Sequence, residues 1–426
     1  MIRFVSAYAR ARRLDNLRDR RSLESIQQRW LGRVLRFVSE RSAFYRPYTH
    51  AAWTDWPKLD KSLWMENFDT LNTVHAVRAE VSAIAEEAER TRNFSRRWGR
   101  FTVGFSTGTS GSRGLFLASP AECASWAGTL LGKLLREGLL ARERIALVLR
   151  AGATLYDAVG VLGLQFRFFD QSRPWETTVR ELDGFNPTVL VAPASALRLL
   201  TTSGARLQPR RVISVAEVLE PLDRARIERH FAVTVEQIYQ ATEGLLGMSC
   251  EAGTVHLNEP YILVEPEWQD AGQTRFVPVI TDLCRRVQPV IRYRLNDVLE
   301  IRREPCPCGR AALALESIAG RTDDVLWLTG TAGRVPVFPD VLARTIVNSL
   351  PDIEDYQVEE VSPHVWRIGL RPMPDDDAQQ CLRNACTTLV ARLGAVPPLL
   401  MMTELNGTHR PGKQRRIRGT EHPCAS

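Results

Sequence analysis

Residues 104–116 read GFSTGTSGSRGLF, with Gly108 and Gly111 set among the hydroxyls of Ser106, Thr107, Thr109 and Ser110. So little side-chain bulk lets several backbone N–H groups converge on one anion, and the hydroxyls add donors to the same concavity. The chemistry this suits is phosphate binding, although a mobile surface loop has the same composition. In IYQATEGLLG a hydroxyl, Thr242, stands beside a carboxylate, Glu243, just past a predicted strand. Such a pair can take a phosphate oxygen and a magnesium ion together, because magnesium accepts one or two carboxylates and leaves its other positions to phosphates and water. A helix N-cap is the plainer alternative. VIRYRLNDVLEI places Asp297 where a carboxylate can accept both hydroxyls of a ribose, at a kind of position where turn aspartates are common. Of 56 basic residues only Lys58, Lys61, Lys133 and Lys413 are lysine, and Lys413 stands among arginines in HRPGKQRRIRG. A lysine retained in so arginine-rich a chain marks a place that requires a compact ammonium rather than a planar fork, or else is a chance survivor in a basic tail. Cys250, His256, Cys306 and Cys308 offer three thiolates and an imidazole, a closed set of four suited to structural zinc. The spacing of the first pair is not that of a common zinc finger, and small buried thiols are the competing reading.

The elements that must position these groups follow from length and periodicity. A chain of 426 residues, 44% hydrophobic, is long enough for one large domain and a small one without disulfide staples. No apolar run reaches the roughly eighteen residues that span a bilayer, and MIRFVSAYARARRLDNLRDRR lacks the apolar core of a secretory signal, so a cytoplasmic protein with reduced thiols is expected. The net charge of +7 is local, since residues 1–50 carry twelve Arg against four acids. Nucleic acid or an anionic membrane can attract such a segment, but Trp30, Leu31, Val34, Leu35 and Val38 form a stripe that packs elsewhere and leaves the arginines on a solvated helix face. Residues 1–100 read as mostly helical. Downstream, RIALVLR, LQFRFFD, PTVLVAP, RRVISVAE and VTVEQIYQ read as strands alternating with helices, which predicts parallel βαβ units with ligand sites at the carboxyl ends of the strands. YQVEEVSPHVWRIGL reads as one strand of a small α+β unit.

The order of motifs (the glycine loop, YQATEG, RYRLND, GRTDDVL and PGKQRR, with AFYRPY and KLDK near the start) resembles the phenylacetate-CoA-ligase-like branch of the adenylate-forming superfamily, over essentially the whole chain. The loop and NFDTLNT look closest to adenylate-forming proteins related to deazaflavin-adenylylating synthetases. The resemblance implies an α/β fold with a large N-terminal AMP-binding domain, residues 1–320, and a small mobile α+β C-terminal domain, residues 321–426, hinged at Asp323. It implies ATP-dependent activation of a carboxylic acid, followed by transfer of the acyl group to a thiol, most commonly coenzyme A. An amine, a carrier protein or AMP transfer to a hydroxyl are the alternatives. On this reading Ser106, Thr107, Gly108, Thr109, Ser110, Gly111 and Arg113 hold the β- and γ-phosphates. Thr242 contacts the α-phosphate, Glu243 holds magnesium, Asp297 and Arg321 bind the ribose, and Lys413 is the catalytic lysine. Ala216, Glu217, Tyr239 and Ala241 line the acyl pocket, where small residues and a tyrosine suit an aromatic or short acyl acid. Some members of the branch bind zinc through residues like Cys250, His256, Cys306 and Cys308. The expected partners are the acid, coenzyme A or another acceptor, and a second copy of the chain as a homodimer, with no nucleic acid and no membrane span. Two departures count against full activity: Arg113 and Gly114 stand where the family loop carries Lys or Thr, and Leu295-Asn296 replaces the Thr-Gly that usually precedes the ribose aspartate. They leave a non-catalytic binding protein as the other class of reading.

Overall fold

A computed structural model describes residues 1–106, 113–138, 141–150, 164–331, 333–362, 364–405 and 415–419. Its centre is a 12-stranded sheet. One half is parallel, in the spatial order Gln165–Asp170, Arg144–Leu149, Val189–Ala192, Arg211–Val215, Val235–Ala241. The inner strands are buried on both faces and read as continuous apolar runs, as VLVA at 189–192 does, because helices cover both sides, while the edge strand Gln165–Asp170 is mostly exposed or half-buried. The predicted helices fall between them at Trp175–Phe185, Ala194–Leu200 and Pro221–Phe231.

At Val235–Ala241 the sheet changes character. The next strand, Gly244–Ser249, returns antiparallel with Ala241 opposite Gly244, so Thr242 and Glu243 form a two-residue hairpin turn and not a helix N-cap. Beyond it Val255–Leu257, Ala314–Arg321, Asp297–Ile301, Arg275–Asp282 and Ile262–Trp268 continue antiparallel. In this half Asp297 lies directly across from Arg321.

The N-terminal hundred residues are mostly helical, as expected, and Leu31, Val34 and Val38 are buried in the main core. The first helix, Ile2–Asp15, lies against Pro120–Leu134 at backbone contact. A Cβ on Gly128 would come within 2.4 Å of the Phe4 carbonyl oxygen, and one on Gly132 within 2.7 Å of the Ala11 Cβ. Residues 326–417 form a second hydrophobic cluster of their own around Tyr356, Trp366 and Ile368. It is built on a four-stranded sheet with helices Pro339–Ser349 and Asp376–Arg392 against it. YQVEEVSPHVWRIGL is not one strand but the hairpin Asp355–Ser362 and Val365–Arg371.

Among the described residues no helix is long and apolar enough to cross a membrane.

Candidate active site

Ser106 ends the strand Phe101–Phe105, and its backbone N–H donates to the Gly114 carbonyl (2.7 Å) while its Oγ accepts from the Gly114 N–H (2.8 Å). The two ends of the glycine loop are thus clamped together at the mouth of the hairpin formed with Leu115–Ala118. Thr107, Gly108, Thr109, Ser110 and Gly111 lie outside the described residues. Arg113 is turned away from the cavity described next. Its guanidinium pairs with Glu89 and stacks on the Phe105 ring at 4.6 Å, which holds it apart from the cavity lining.

Ser106 opens onto a cavity of about 1200 Å³ at the carboxyl ends of the parallel strands. The same wall carries Ala216, Glu217, Tyr239 and Ala241, the Thr242–Glu243 turn, Asp297 and Arg321. Asp297 accepts the Tyr239 hydroxyl at 2.7 Å and lies 3.9 Å from Arg321 Nε. Burial and then the Asp297 charge push the Tyr239 phenol well above its ordinary pKa, so it stays a proton donor that orients the carboxylate. Tyr239 therefore belongs with the ribose candidate as much as with the acyl pocket. The backbone of the turn is fixed by Arg285, whose Nη1 donates to the Thr242 carbonyl (2.9 Å) and the Glu243 carbonyl (3.4 Å). That leaves the Glu243 carboxylate on the cavity side beside the Tyr293 hydroxyl, whose pKa burial and then Glu243 raise. A single cavity-facing carboxylate next to a threonine fits the one or two carboxylates that magnesium takes from a protein. Glu217 accepts from the Ser195 N–H (2.8 Å) and hydroxyl (3.0 Å), which ties the cavity wall to the start of helix Ala194–Leu200. Ala216 takes a left-handed φ of 66°, a strained conformation for a residue with a Cβ, at the tip of the strand Arg211–Val215.

Sequence reasoning assigned no role to Lys61. It begins the helix Lys61–Glu66 and lines the cavity, with its Cε 3.4 Å from a Cβ placed on Gly114. Burial, then the neighbouring Arg321 and Arg113 charges, lower its pKa against the opposing pull of Glu243. Two other lysines are committed elsewhere, Lys58 to Glu267 (2.7 Å) and Lys133 to Asp15 (2.6 Å). The signal was already present: Lys61 is one of only four lysines and lies in KLDK.

Lys413 lies outside the described residues, but both flanks of its segment are anchored. Leu405 hydrogen-bonds the strand Val365–Arg371 at Leu370 (2.9 Å). On the other side Arg416 is buried in an ion network that joins the two hydrophobic units. Its guanidinium meets Asp223 at 2.8 and 3.0 Å, Asp355 at 2.8 Å and Glu220 at 3.0 Å, and Glu220 also accepts the Tyr356 hydroxyl (2.7 Å). Glu220 follows Glu217 and Val218 of the cavity wall by three and two residues, and Lys413 precedes Arg416 by three in the sequence. Asp323 sits where the two units join. It accepts Asn296 Nδ2 (3.3 Å), and its carbonyl accepts Arg415 (3.0 Å).

The Cys250, His256, Cys306 and Cys308 donor atoms all lie within 4.8 Å of one another, and all four residues are buried. The sulfurs of Cys250 and Cys306 are 3.7 Å apart, and Cys308 Sγ is 3.3 Å from His256 Nε2. A tetrahedral zinc with bonds of about 2.3 Å to sulfur and about 2.0 Å to nitrogen sets donor separations of about 3.5–3.8 Å. His256 Nδ1 lies 2.8 Å from the Ala312 carbonyl, which fixes the tautomer that presents Nε2 as a ligand. The cluster ties the far end of the strand Gly244–Ser249 to the loop after Asp297–Ile301, and Cys250 follows Glu243 by seven residues, about 23 Å of extended chain.

The polypeptide is 24% identical over 387 residues, 84% of its length and 81% of the relative's, to a phenylacetate-coenzyme A ligase of Thermus thermophilus. Among solved structures it matches 2-hydroxyisobutyryl-CoA ligase in the postadenylation state with 2-HIB-AMP, with a TM-score of 0.66 at 18% identity, covering 94% of this chain and 89% of that one. The chain has the fold of the adenylate-forming CoA ligases. The same enzyme in an open conformation with 2-HIB-AMP and CoA also has this fold, with a TM-score of 0.60, 18% identity and coverage of 94% and 91%. An anthranilate CoA ligase in complex with anthranoyl-AMP matches at 0.50, with 13% identity over 73% of this chain and 66% of that one. No family model matches the chain. Within this fold, the cavity at the carboxyl ends of the parallel strands gathers every site residue expected from the sequence except Arg113, the hinge candidate, the metal cluster and those outside the described residues.

Proposed function

We propose that the protein is an acid–thiol ligase that activates a carboxylic acid with ATP and passes the acyl group to coenzyme A. The observation that carries this is the meeting of the Thr242–Glu243 turn with the cross-strand pair Asp297 and Arg321 on one cavity wall, in a chain whose homologues are CoA ligases. The acid's carboxylate attacks the α-phosphorus, the bond to pyrophosphate breaks, and the acyl adenylate then gives its acyl group to the thiol with release of AMP. Asp297, oriented by Tyr239, accepts the ribose hydroxyls, with Arg321 alongside. Thr242 contacts the α-phosphate, and Glu243 holds the magnesium ion that offsets phosphate charge. The loop Ser106–Gly111 holds the leaving pyrophosphate. Lys413 stabilises the charge that develops between the carboxylate and the α-phosphate.

The acid is aromatic or short, received against Ala216 and Ala241. Residues 1–320 carry this site and residues 321–426 form the mobile lid, pivoting at Asp323 to bring Lys413 in for adenylation and remove it for transfer. Zinc at Cys250, His256, Cys306 and Cys308 is structural. The cluster lies at the opposite end of the strand Gly244–Ser249 from Glu243, which supports a part in holding the strand on which the catalytic turn is mounted. The reaction draws on ATP and coenzyme A, and the cytoplasm supplies both.

Mass spectrometry of products from ATP, coenzyme A and a mixed acid library tests the proposal. Acyl-CoA with equimolar AMP is the expected result. An acyl-amide, an acylated carrier or an adenylylated acceptor would reassign the second half-reaction, and unchanged ATP with every acid would refute the proposal.

A further inference from the structure

The cavity is larger than the roughly 300–1,000 Å³ that encloses an ordinary small ligand, and it continues away from Asp297. From Glu243 its floor runs over Gly244 to Asp282, whose Oδ2 lies 3.3 Å from a Cβ placed on Gly244, and then to Cys284 and Arg286. Four guanidiniums line this far end: Arg3 and Arg10 from the helix Ile2–Asp15, Arg33 from Arg20–Arg41, and Arg286 from the turn after Arg275–Asp282. Among the described residues none of the four has a carboxylate within 4.0 Å. In a chain whose arginines are so widely paired, this is a local exception.

The acids nearby, Asp282 and Glu122, act on Arg286 only through space and spend their oxygens on backbone N–H groups. Asp282 accepts the N–H groups of Cys284 (2.7 Å) and Arg285 (2.9 Å). Glu122 accepts those of Arg286 (2.7 Å) and Val287 (3.0 Å) and caps its own helix at Ser119. Arg286 hydrogen-bonds protein through Nη1 alone, at the Leu283 and Arg285 carbonyls, both 3.2 Å away, and its guanidinium lies over the Phe37 ring at 5.6 Å. Arg10 stacks over Trp30 at 5.5 Å, and Trp30 meets the Tyr261 ring edge-on at 5.7 Å, which gives this end an apolar wall under a cationic rim. The rim is held in place, because Gly128 and Gly132 seat the helix that carries Arg3 and Arg10 at backbone contact.

We infer that the acid activated here carries a second, distal anionic group, such as a carboxylate, held by Arg10 and Arg286 with Arg3 and Arg33 at the rim. The inference rests on the adenylation reading, which places the reacting carboxylate at the Thr242–Glu243 end. An acid extending from there across Gly244 and Asp282 brings its other end to the arginines. The phosphates of coenzyme A are the other anions that this cluster can attract.

ATP–pyrophosphate exchange separates the two sources because it needs no coenzyme A. Matched pairs are compared, 1,4-phenylenediacetate against phenylacetate and adipate against hexanoate. The diacid is expected to exceed its monoacid in kcat/KM, and that ratio is expected to fall about tenfold in both Arg10→Gln and Arg286→Gln, the effect of losing one charge-assisted hydrogen bond. An unchanged ratio in both variants, a preference for monoacids in the wild type, or an effect confined to the KM for coenzyme A relative to 3′-dephospho-coenzyme A would overturn the inference. If no acid supports exchange, the adenylation reading fails. Calorimetric titration of adipate then decides the inference alone, with tenfold weaker binding in Arg10→Gln supporting it and equal or absent binding refuting it. Thermal midpoints of the variants within a few degrees of wild type establish that they are folded.

Discussion

At the residue scale, the site is a set of carboxylates whose environments assign them different tasks. Glu217 and Asp282 serve the backbone, Glu243 faces the cavity, and Asp297 is held by Tyr239 on one side and Arg321 on the other. If Asp297 accepts ribose hydroxyls, Asp297→Asn replaces one accepting oxygen with a donor. It should raise the KM for ATP ten- to a hundredfold, the equivalent of one or two charge-assisted hydrogen bonds. Tyr239→Phe, which only frees the carboxylate to rotate, should give a smaller rise. Initial-rate kinetics with ATP varied checks both, and equal effects would mean that Tyr239 touches substrate directly. The chemistry of these residues was readable from their types and order. Their support was not: the Tyr239–Asp297 bond, the Ser195–Glu217 bond and the approach of Lys61 to Gly114 join residues 22 to 58 positions apart, and nothing in local pattern encodes such pairs.

At the element scale, the parallel half of the sheet was legible because its strands are short apolar runs alternating with amphipathic helices, as at VLVA and RVISV. The antiparallel half was not. Its strands Ile262–Trp268 and Arg275–Asp282 contain Pro266 and Pro278, which read as breakers in sequence yet face each other across the ladder. The charges that interrupt the apolar pattern, Glu265 and Glu267, are paired with Arg292 and Arg294 from the adjoining segment. The cysteine cluster lies in this half, where hydrophobic burial is interrupted by turns. If it holds zinc, a strong chelator should lower the thermal midpoint by several degrees, and ATP affinity should fall only as unfolding proceeds. Metal analysis of the untreated protein should return one zinc per chain. A metal-free protein of unchanged stability would identify the cluster as packed thiols.

At the scale of the whole molecule, the two hydrophobic units are joined by the buried Arg416 network, which also anchors the segment bearing Lys413. Burial opposes ionisation of Asp223, but Arg416 and then Arg198 hold its pKa below the usual carboxylate range. A carboxylate depressed in the folded state adds stability that is fully present above its unfolded pKa and is lost as pH falls through its folded value. Asp223→Asn should therefore be less stable than wild type at pH 7 by about 3–5 kcal/mol, since it leaves Arg416 partly uncompensated, and the difference should narrow only in acid, as pH falls through the usual carboxylate range and below it. Thermal unfolding from pH 7 to 3 measures this, and a gap that closed nearer neutrality would place the linkage on another group.

The central claim is that the cavity and the tail lysine act on one nucleotide, and ATP–pyrophosphate exchange over a panel of carboxylic acids, wild type against Lys413→Ala, tests it most directly. The account predicts exchange with at least one acid, a loss of at least a hundredfold in the variant, and an ATP dissociation constant changed by no more than a few fold. Exchange that survives the loss of Lys413, or that no acid supports in the wild type, would contradict it.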